Sequence, residues 1–156
     1  MSKILEITKF KNPILRQKAI DINELSTEVE ALIDDMIETL NDSGGVGLAA
    51  PQINEGVRLV IIKHKDKDLV LLNPEIIKKS WKKNNDEEGC LSLPGVNGFV
   101  RRHSKITVKA KNRKFEDVEI TGRGLLARIF QHEIDHLDGI LFVDRAHKIT
   151  EGKELL

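Results

Sequence analysis

Apolar residues recur at Val29, Leu32, Ile33, Met36, Ile37 and Leu40, a spacing that turns one face of a helix toward a core. Thr27 supplies a cap, Glu30 three positions later completes a capping box, and Gly44-Gly45 ends the run, so the pattern predicts a helix over 27–44. Its Met and Leu side chains read as core. Runs rich in β-branched residues predict strands at 57–63, at 69–73 and, with interruptions, over 99–110. The stretches 106–110 and 115–121 flank the polar turn Lys111-Asn112-Arg113-Lys114 and predict a hairpin. Residues 78–88 carry charge around Trp81 without an apolar period and read as a solvated loop, with Lys82-Lys83 part of that wet loop rather than a binding patch. A second helix starts near Gly124, with Leu125, Leu126, Ile129, Phe130 and Leu137 as its buried stripe and Gly139 as its stop. A helix, antiparallel strands and a second helix packed on them make the class α+β. No repeat or linker divides the chain, so 1–156 is expected to form one domain.

The second helix changes the picture from fold to chemistry. It carries His132-Glu133-Ile134-Asp135-His136, and imidazoles four residues apart share a helix face and can hold one divalent metal. Glu133, beside the first imidazole, can then reach a metal-bound water as general base. The plainer reading is a surface helix that carries two His and two acids. A catalytic metal usually takes three protein ligands and keeps one position open. The metzincin pattern fails, because Phe142 stands where its third His would be. A downstream carboxylate would have to be Glu151 or Glu154, in the charged tail. Cys90 is the better third ligand, since a thiolate is a strong soft donor for first-row divalent metals. Its alternative is a small buried hydrophobe. A closed structural zinc clip would need a fourth ligand, which His64, His103 or His147 could supply, though none lies in a motif.

Gly45-Val46-Gly47-Leu48-Ala49-Ala50-Pro51-Gln52 lacks the spacing and terminal Lys of a phosphate loop. Its small residues would let a ligand backbone approach closely, and the Gln52 amide N–H could stabilise a developing oxyanion. A helix cap and turn is the ordinary use of such glycines.

Composition narrows the partners. Lys+Arg and Asp+Glu both total 25, so the chain as a whole has no field to hold a polyanion or an anionic membrane, and neither nucleic-acid nor membrane binding is predicted. Cys90 is the single cysteine, which excludes an intrachain disulfide and suits a reducing compartment. The N-terminus lacks a sustained apolar stretch, and no run approaches the roughly 18 apolar residues of a membrane span. The protein is expected to be cytoplasmic.

Taken together, the glycine segment ending at Gln52, Glu88-Gly89-Cys90-Leu91-Ser92 and Gln131-His132-Glu133-Ile134-Asp135-His136 occur in the order and spacing of the peptide deformylases. The chain closely resembles that family over nearly its whole length, including Asn12-Pro13-Ile14-Leu15-Arg16 and Asn73-Pro74. The resemblance implies antiparallel sheets packed around a C-terminal helix with the HExxH motif, and an N-terminal amphipathic helix. It implies a hydrolase that removes the formyl group from the N-terminal formylmethionine of new polypeptides. By position, Cys90, His132 and His136 would hold the metal with water in the fourth place. Glu133 would take the proton and pass it to the leaving amine. The oxyanion would be held by the metal, the Gln52 side chain and the Leu91 backbone N–H, each donor worth about 3–4 kcal/mol of barrier.

The resemblance further implies an extended substrate bonded to the backbone of Gly45 and Gly47, with the methionine side chain near Val46, Leu125, Ile129 and His132. Arg128 would make the pocket rim more polar, or would lay its stem on apolar surface with its head in water. Arg102 and Asp135 would form an ion pair that orients the site. Fe²⁺ is the favoured ion, with Zn²⁺, Ni²⁺ or Co²⁺ as substitutes. The partners implied are N-formylmethionyl nascent peptides and the ribosome near its exit tunnel, although the tail after Asp144 is too short to argue docking.

Overall fold

The computed structural model describes residues 2–156. In chain order its helices and strands are α1 (Thr27–Ser43), β1 (Gly47–Ala49), β2 (Leu59–His64), β3 (Lys67–Lys79), β4 (Lys83–Cys90), β5 (Leu93–His103), β6 (Lys105–Lys111), β7 (Asp117–Arg123), α2 (Leu125–Leu137), α3 (Phe142–Arg145) and β8 (Lys148–Glu151). Two antiparallel sheets result, one ordered β1-β2-β3-β6-β7 and the other β4-β5-β8. The α+β expectation holds.

The larger sheet is covered on both faces, which explains the unbroken apolar run Leu59-Val60-Ile61-Ile62 of β2. Val60 and Ile62 join Ala127, Phe130, Ile134 and Leu137 of α2 in one core. Leu59 and Ile61 face the other way, onto Ile33, Met36 and Leu40 of α1. The smaller sheet buries Leu93, Val96 and Val100 against Leu141, Phe142 and Leu15. α2 therefore lies between the two sheets, nearly all of it buried.

Four expectations are corrected. Ser26, not Thr27, caps α1: its Oγ accepts from the Val29 N–H at 3.2 Å, and Thr27 is already helical, so Glu30 falls outside a capping box. The helix does end at Gly44, which adopts φ 71°. The stretch 78–88 is not a loop, since β3 runs to Lys79 and β4 pairs with β5 from Lys83↔His103 to Cys90↔Leu93. Residues 83–87 are exposed, so backbone ladder bonds rather than an apolar face hold that part of the strand, and the hydrophobic pattern carries no trace of it. Leu125 is not buried; it is 69 % exposed because the first turn of α2 overhangs a cleft. Arg128 does not reach water, as described below.

Candidate metal centre and active site

The cleft, about 390 Å³, opens between the sheets where the start of β1, the end of β4 and α2 meet. Gly45, Val46, Gly47, Gln52, Cys90, Leu91, Leu125, Ile129, His132 and Glu133 line it, alongside Glu87, Glu88, Gly89 and Arg128. His132 and His136 project from adjacent turns of α2 with ring centroids 5.1 Å apart. Cys90 ends β4 at a register shift after Gly89, a bulge that re-aims a side chain at the strand's end. Its Sγ lies 3.3 Å from His136 Nε2. One ligand atom from each of Cys90, His132 and His136 falls within 4.8 Å of the others.

Gln52 faces this cluster in a settled orientation. Its Oε1 accepts from the Ala49 N–H at 3.0 Å, which turns the NH₂ toward Ser92 Oγ at 3.2 Å and Cys90 Sγ at 3.5 Å. Glu133 packs against Gly47, where a Cβ would sit 2.6 Å from Glu133 Oε2. Only glycine at 47 leaves the Glu133 carboxylate where it stands.

The buried charges are organised around Glu88. Its carboxylate accepts from Arg102 Nε and Nη2 at 2.9 Å each, from Arg128 Nη1 at 2.5 Å and from His132 Nδ1 at 2.8 Å. Burial alone would raise its pKa, but the hydrogen bonds from Arg102 and His132 and their charges hold it well below the usual carboxylate range. An ionised carboxylate only accepts, so His132 Nδ1 must carry the proton and Nε2 is left to face Cys90. Arg102 Nη1 reaches Asp135 Oδ2 at 2.6 Å, and Arg145 holds the same carboxylate through Nε at 2.6 Å and Nη2 at 3.0 Å. The Arg128 head is buried, bonded also to the carbonyls of Val100 and Asn84, because the smaller sheet covers this end of α2.

Burial pushes the Glu133 carboxyl up to about 7, against the opposing charge of His132. Burial likewise pushes His136 well below its ordinary value, whereas hydrogen bonds to Cys90 and Glu88 overcome burial and raise His132. Among the described residues, two buried side-chain polar atoms, Glu133 Oε1 and His136 Nδ1, lack a hydrogen-bond partner. A thiol and two imidazoles closing on one point, beside an unsatisfied carboxylate oxygen, fit a divalent ion with an N/S donor preference.

The other candidate ligands stand apart. Glu151 is exposed on β8 and accepts from Asn97 Nδ2 at 2.9 Å, and Glu154 is exposed in the tail. His103 contacts the Ser80 carbonyl, His147 contacts Asn85, and neither they nor His64 join the cluster among the described residues. Glu88 and Arg145 belong to a buried charge network that no sequence pattern predicts, and Arg128, expected at the pocket rim, joins it. No local pattern marks Glu88: the register shift between Gly89 and Cys90 breaks the two-residue alternation that would relate their side chains, and its partners come from β5 and α2.

The sequence profile of the polypeptide deformylase family matches residues 4–152. A peptide deformylase of Desulforudis audaxviator is 44% identical over 152 residues, covering 97% of this chain and 99% of its own. One from Desulfitobacterium hafniense is 48% identical over 147 residues, covering 94% and 97%. Among solved structures, the Thermotoga maritima peptide deformylase superposes with a TM-score of 0.89 at 37% identity, over 92% of this chain and 97% of its own. The Synechococcus elongatus peptide deformylase, solved in complex with actinonin, gives 0.89 at 37% identity, over 92% and 79%. Matched almost end to end by profile, sequence and fold, the chain belongs to the polypeptide deformylase family.

Proposed function

We propose that this protein hydrolyses the formyl group from the N-terminal formylmethionine of nascent polypeptides, using a divalent ion held by Cys90, His132 and His136. The observation that carries the reading is the convergence of those three ligand atoms within 4.8 Å, next to a buried and unsatisfied Glu133, inside a cleft reached by the Gln52 amide. When bound, the ion supplies Lewis-acid activation of the attacking water and of the formyl carbonyl. Glu133 takes the proton from that water and delivers it to the leaving amine, a role suited to a carboxyl whose burial brings its pKa to about 7. The Gln52 NH₂ and the Leu91 backbone N–H stabilise the oxyanion.

The peptide enters as an added strand. β1 is the edge of the larger sheet, and Gly45-Val46-Gly47 run along the cleft, so an extended chain can bond to backbone there without meeting side chains at Gly45 and Gly47. Val46, Leu125 and Ile129 give the methionine an apolar wall. Glu88 is a positioning residue that fixes the His132 tautomer, and the Arg102–Asp135 pair braces α2 against the smaller sheet. Fe²⁺ is the proposed cellular ion, with Zn²⁺, Ni²⁺ or Co²⁺ able to replace it, since His₂Cys suits each. The ribosome is the source of the substrate.

The test is formate release from formyl-Met-Ala-Ser together with metal analysis. Wild type should turn over the peptide, and Cys90→Ser should lose both ion and activity. A Cys90→Ser protein that keeps both would overturn the ligand set. Actinonin, present in the Synechococcus structure, should inhibit the wild type.

A further inference from the structure

Behind the reaction cleft, the corner where β3 leads into β4 gathers unpaired cations around a fully exposed Trp81, the chain's only tryptophan. The corner is a fixed structure. Ser80 N–H donates to the Lys105 carbonyl at 2.9 Å, Ser104 N–H to the Lys82 carbonyl at 2.9 Å, and Lys83 stands opposite His103 in the β4–β5 ladder. Lys78, Lys79, Lys83 and Arg101 line one hollow here, Lys82 adjoins Trp81 in the turn, and Lys105 lies across the backbone bond from Ser80. Among the described residues, none of the six forms an ion pair, although lysines elsewhere do, as in Lys63–Asp68 and Lys111–Asp117. That hollow measures about 280 Å³, and the one carboxylate in its lining, Asp135, is already held by Arg102 and Arg145. The hollow shares no lining residue with the reaction cleft.

We propose that this corner binds single-stranded RNA, with Trp81 stacking on an unpaired base and the lysines contacting flanking phosphates. An indole fully in water offers both faces for stacking, and a base accepts it without sequence preference. The surrounding cations supply the phosphate term. The balanced total of 25 cations and 25 acids conceals this hollow, whose lining holds Lys78, Lys79, Lys83 and Arg101 against a carboxylate already paired. A membrane surface fits less well: one exposed ring over a cationic hollow gives no contiguous apolar face to insert, whereas the hollow suits a phosphate. The choice of RNA as the strand rests on the proposed substrate, a chain still borne by an RNA-built machine; the patch itself does not depend on the catalytic reading.

The experiment is fluorescence anisotropy of a labelled, unstructured 20-nucleotide RNA titrated with the full-length protein, with formate release measured in parallel. Wild type should bind with quenching of Trp81 fluorescence. Engagement of about four phosphates gives a log–log salt slope near −3 and about a 50-fold loss between 50 and 200 mM salt. Trp81→Ala should weaken binding roughly 5- to 100-fold. Lys79→Ala and Lys82→Ala should each flatten the salt slope by about 0.7. All three variants should keep wild-type turnover of free formyl-Met-Ala-Ser. Absence of RNA binding at 50 mM salt, binding unaffected by Trp81→Ala and the lysine changes, or capture by anionic phosphatidylglycerol vesicles in place of RNA would overturn the proposal. Loss of formate release with RNA binding intact would count against the catalytic reading alone, so the two failures are separable.

Discussion

Glu88→Gln is the perturbation that tests the site most directly, because it changes one charge and almost no volume. The carboxylate is 5 % exposed and accepts four hydrogen bonds, from Arg102 twice, Arg128 and His132. An amide can accept at only one of its two terminal atoms. With its oxygen toward Arg102 Nε and Arg128, its NH₂ confronts Arg102 Nη2 and His132 Nδ1; the reverse orientation sets it against Arg102 Nε and Arg128. Either choice opposes N–H to N–H: the first takes the acceptor from His132, and the second leaves Arg128 only the carbonyls of Val100 and Asn84. Removing one member of a buried ion pair typically costs about 3–5 kcal/mol, and the bonds the amide retains place this variant near 3 kcal/mol. For a chain of this size that is a Tm lower by about 6–12 °C. The first orientation keeps two guanidinium bonds against one and is favoured; His132 then loses the acceptor that fixes its tautomer, and metal affinity should fall roughly 10- to 100-fold. Thermal melts of the metal-free protein and competition against a chromogenic chelator read the two effects separately. A Tm within about 2 °C of wild type, together with unchanged metal affinity, would refute the account of Glu88 as the hub.

Glu133→Gln should cut formate release by at least about 100-fold while metal content stays at the wild-type level. Because burial raises this carboxyl from 4.5 to about 7, ionising it in the metal-free protein opposes folding by about 3 kcal/mol above pH 7. The metal-free variant should therefore be more stable than wild type at pH 8 and equal to it at pH 4; a difference independent of pH in urea melts would count against that cause. Gly47→Ala should lower kcat with little change in Tm, since the added methyl meets Glu133 Oε2 at 2.6 Å and displaces the carboxylate; unchanged kcat would refute the close-approach argument. Asp144 is lowered in pKa despite its burial, through Arg16 and the Leu141 N–H, so its contribution is present above pH 3.8 and lost as pH falls through its depressed value. Asp144→Asn should be less stable than wild type at neutral pH, with the gap narrowing on acidification; a gap independent of pH would contradict it.

Legibility in the sequence followed the range over which each feature is set. α1 and the His132/His136 pair were legible because helical periodicity acts within one or two turns and each helix buries one stripe on a sheet. Cys90 lies 46 residues before His136, and no periodicity links them, so donor type and the family resemblance of its motif are what point to it. The exposed half of β4 was invisible for the reason already given: paired backbone leaves no mark on side chains that face water. Leu125 fits an apolar stripe by spacing yet lies over the cleft, because the stripe ends where the sheet beneath it does. Glu88 and its arginines are the largest omission. Arg102 and Arg128 lie 14 and 40 residues from Glu88, and only the meeting of β4, β5 and α2 makes them partners.

That omission carries a consequence for how the site works. One ligand comes from the smaller sheet and two from α2, which is itself packed on the larger sheet, so the geometry of the three depends on how the sheets are joined. The join is polar: Glu88 of β4 binds Arg128 and His132 of α2, while Arg102 of β5 binds Glu88 and Asp135. An apolar contact of the same area could slide by fractions of an ångström with little penalty, whereas buried charge pairs hold direction as well as distance. The same bonds thus fix both the fold's central seam and the tautomer of His132. Stability and metal affinity should consequently fall together across changes at Glu88, Arg102 and Arg128. A variant at the seam that loses several degrees of Tm yet binds its ion as wild type does would separate the two, and would place the control of the metal site in the helix alone.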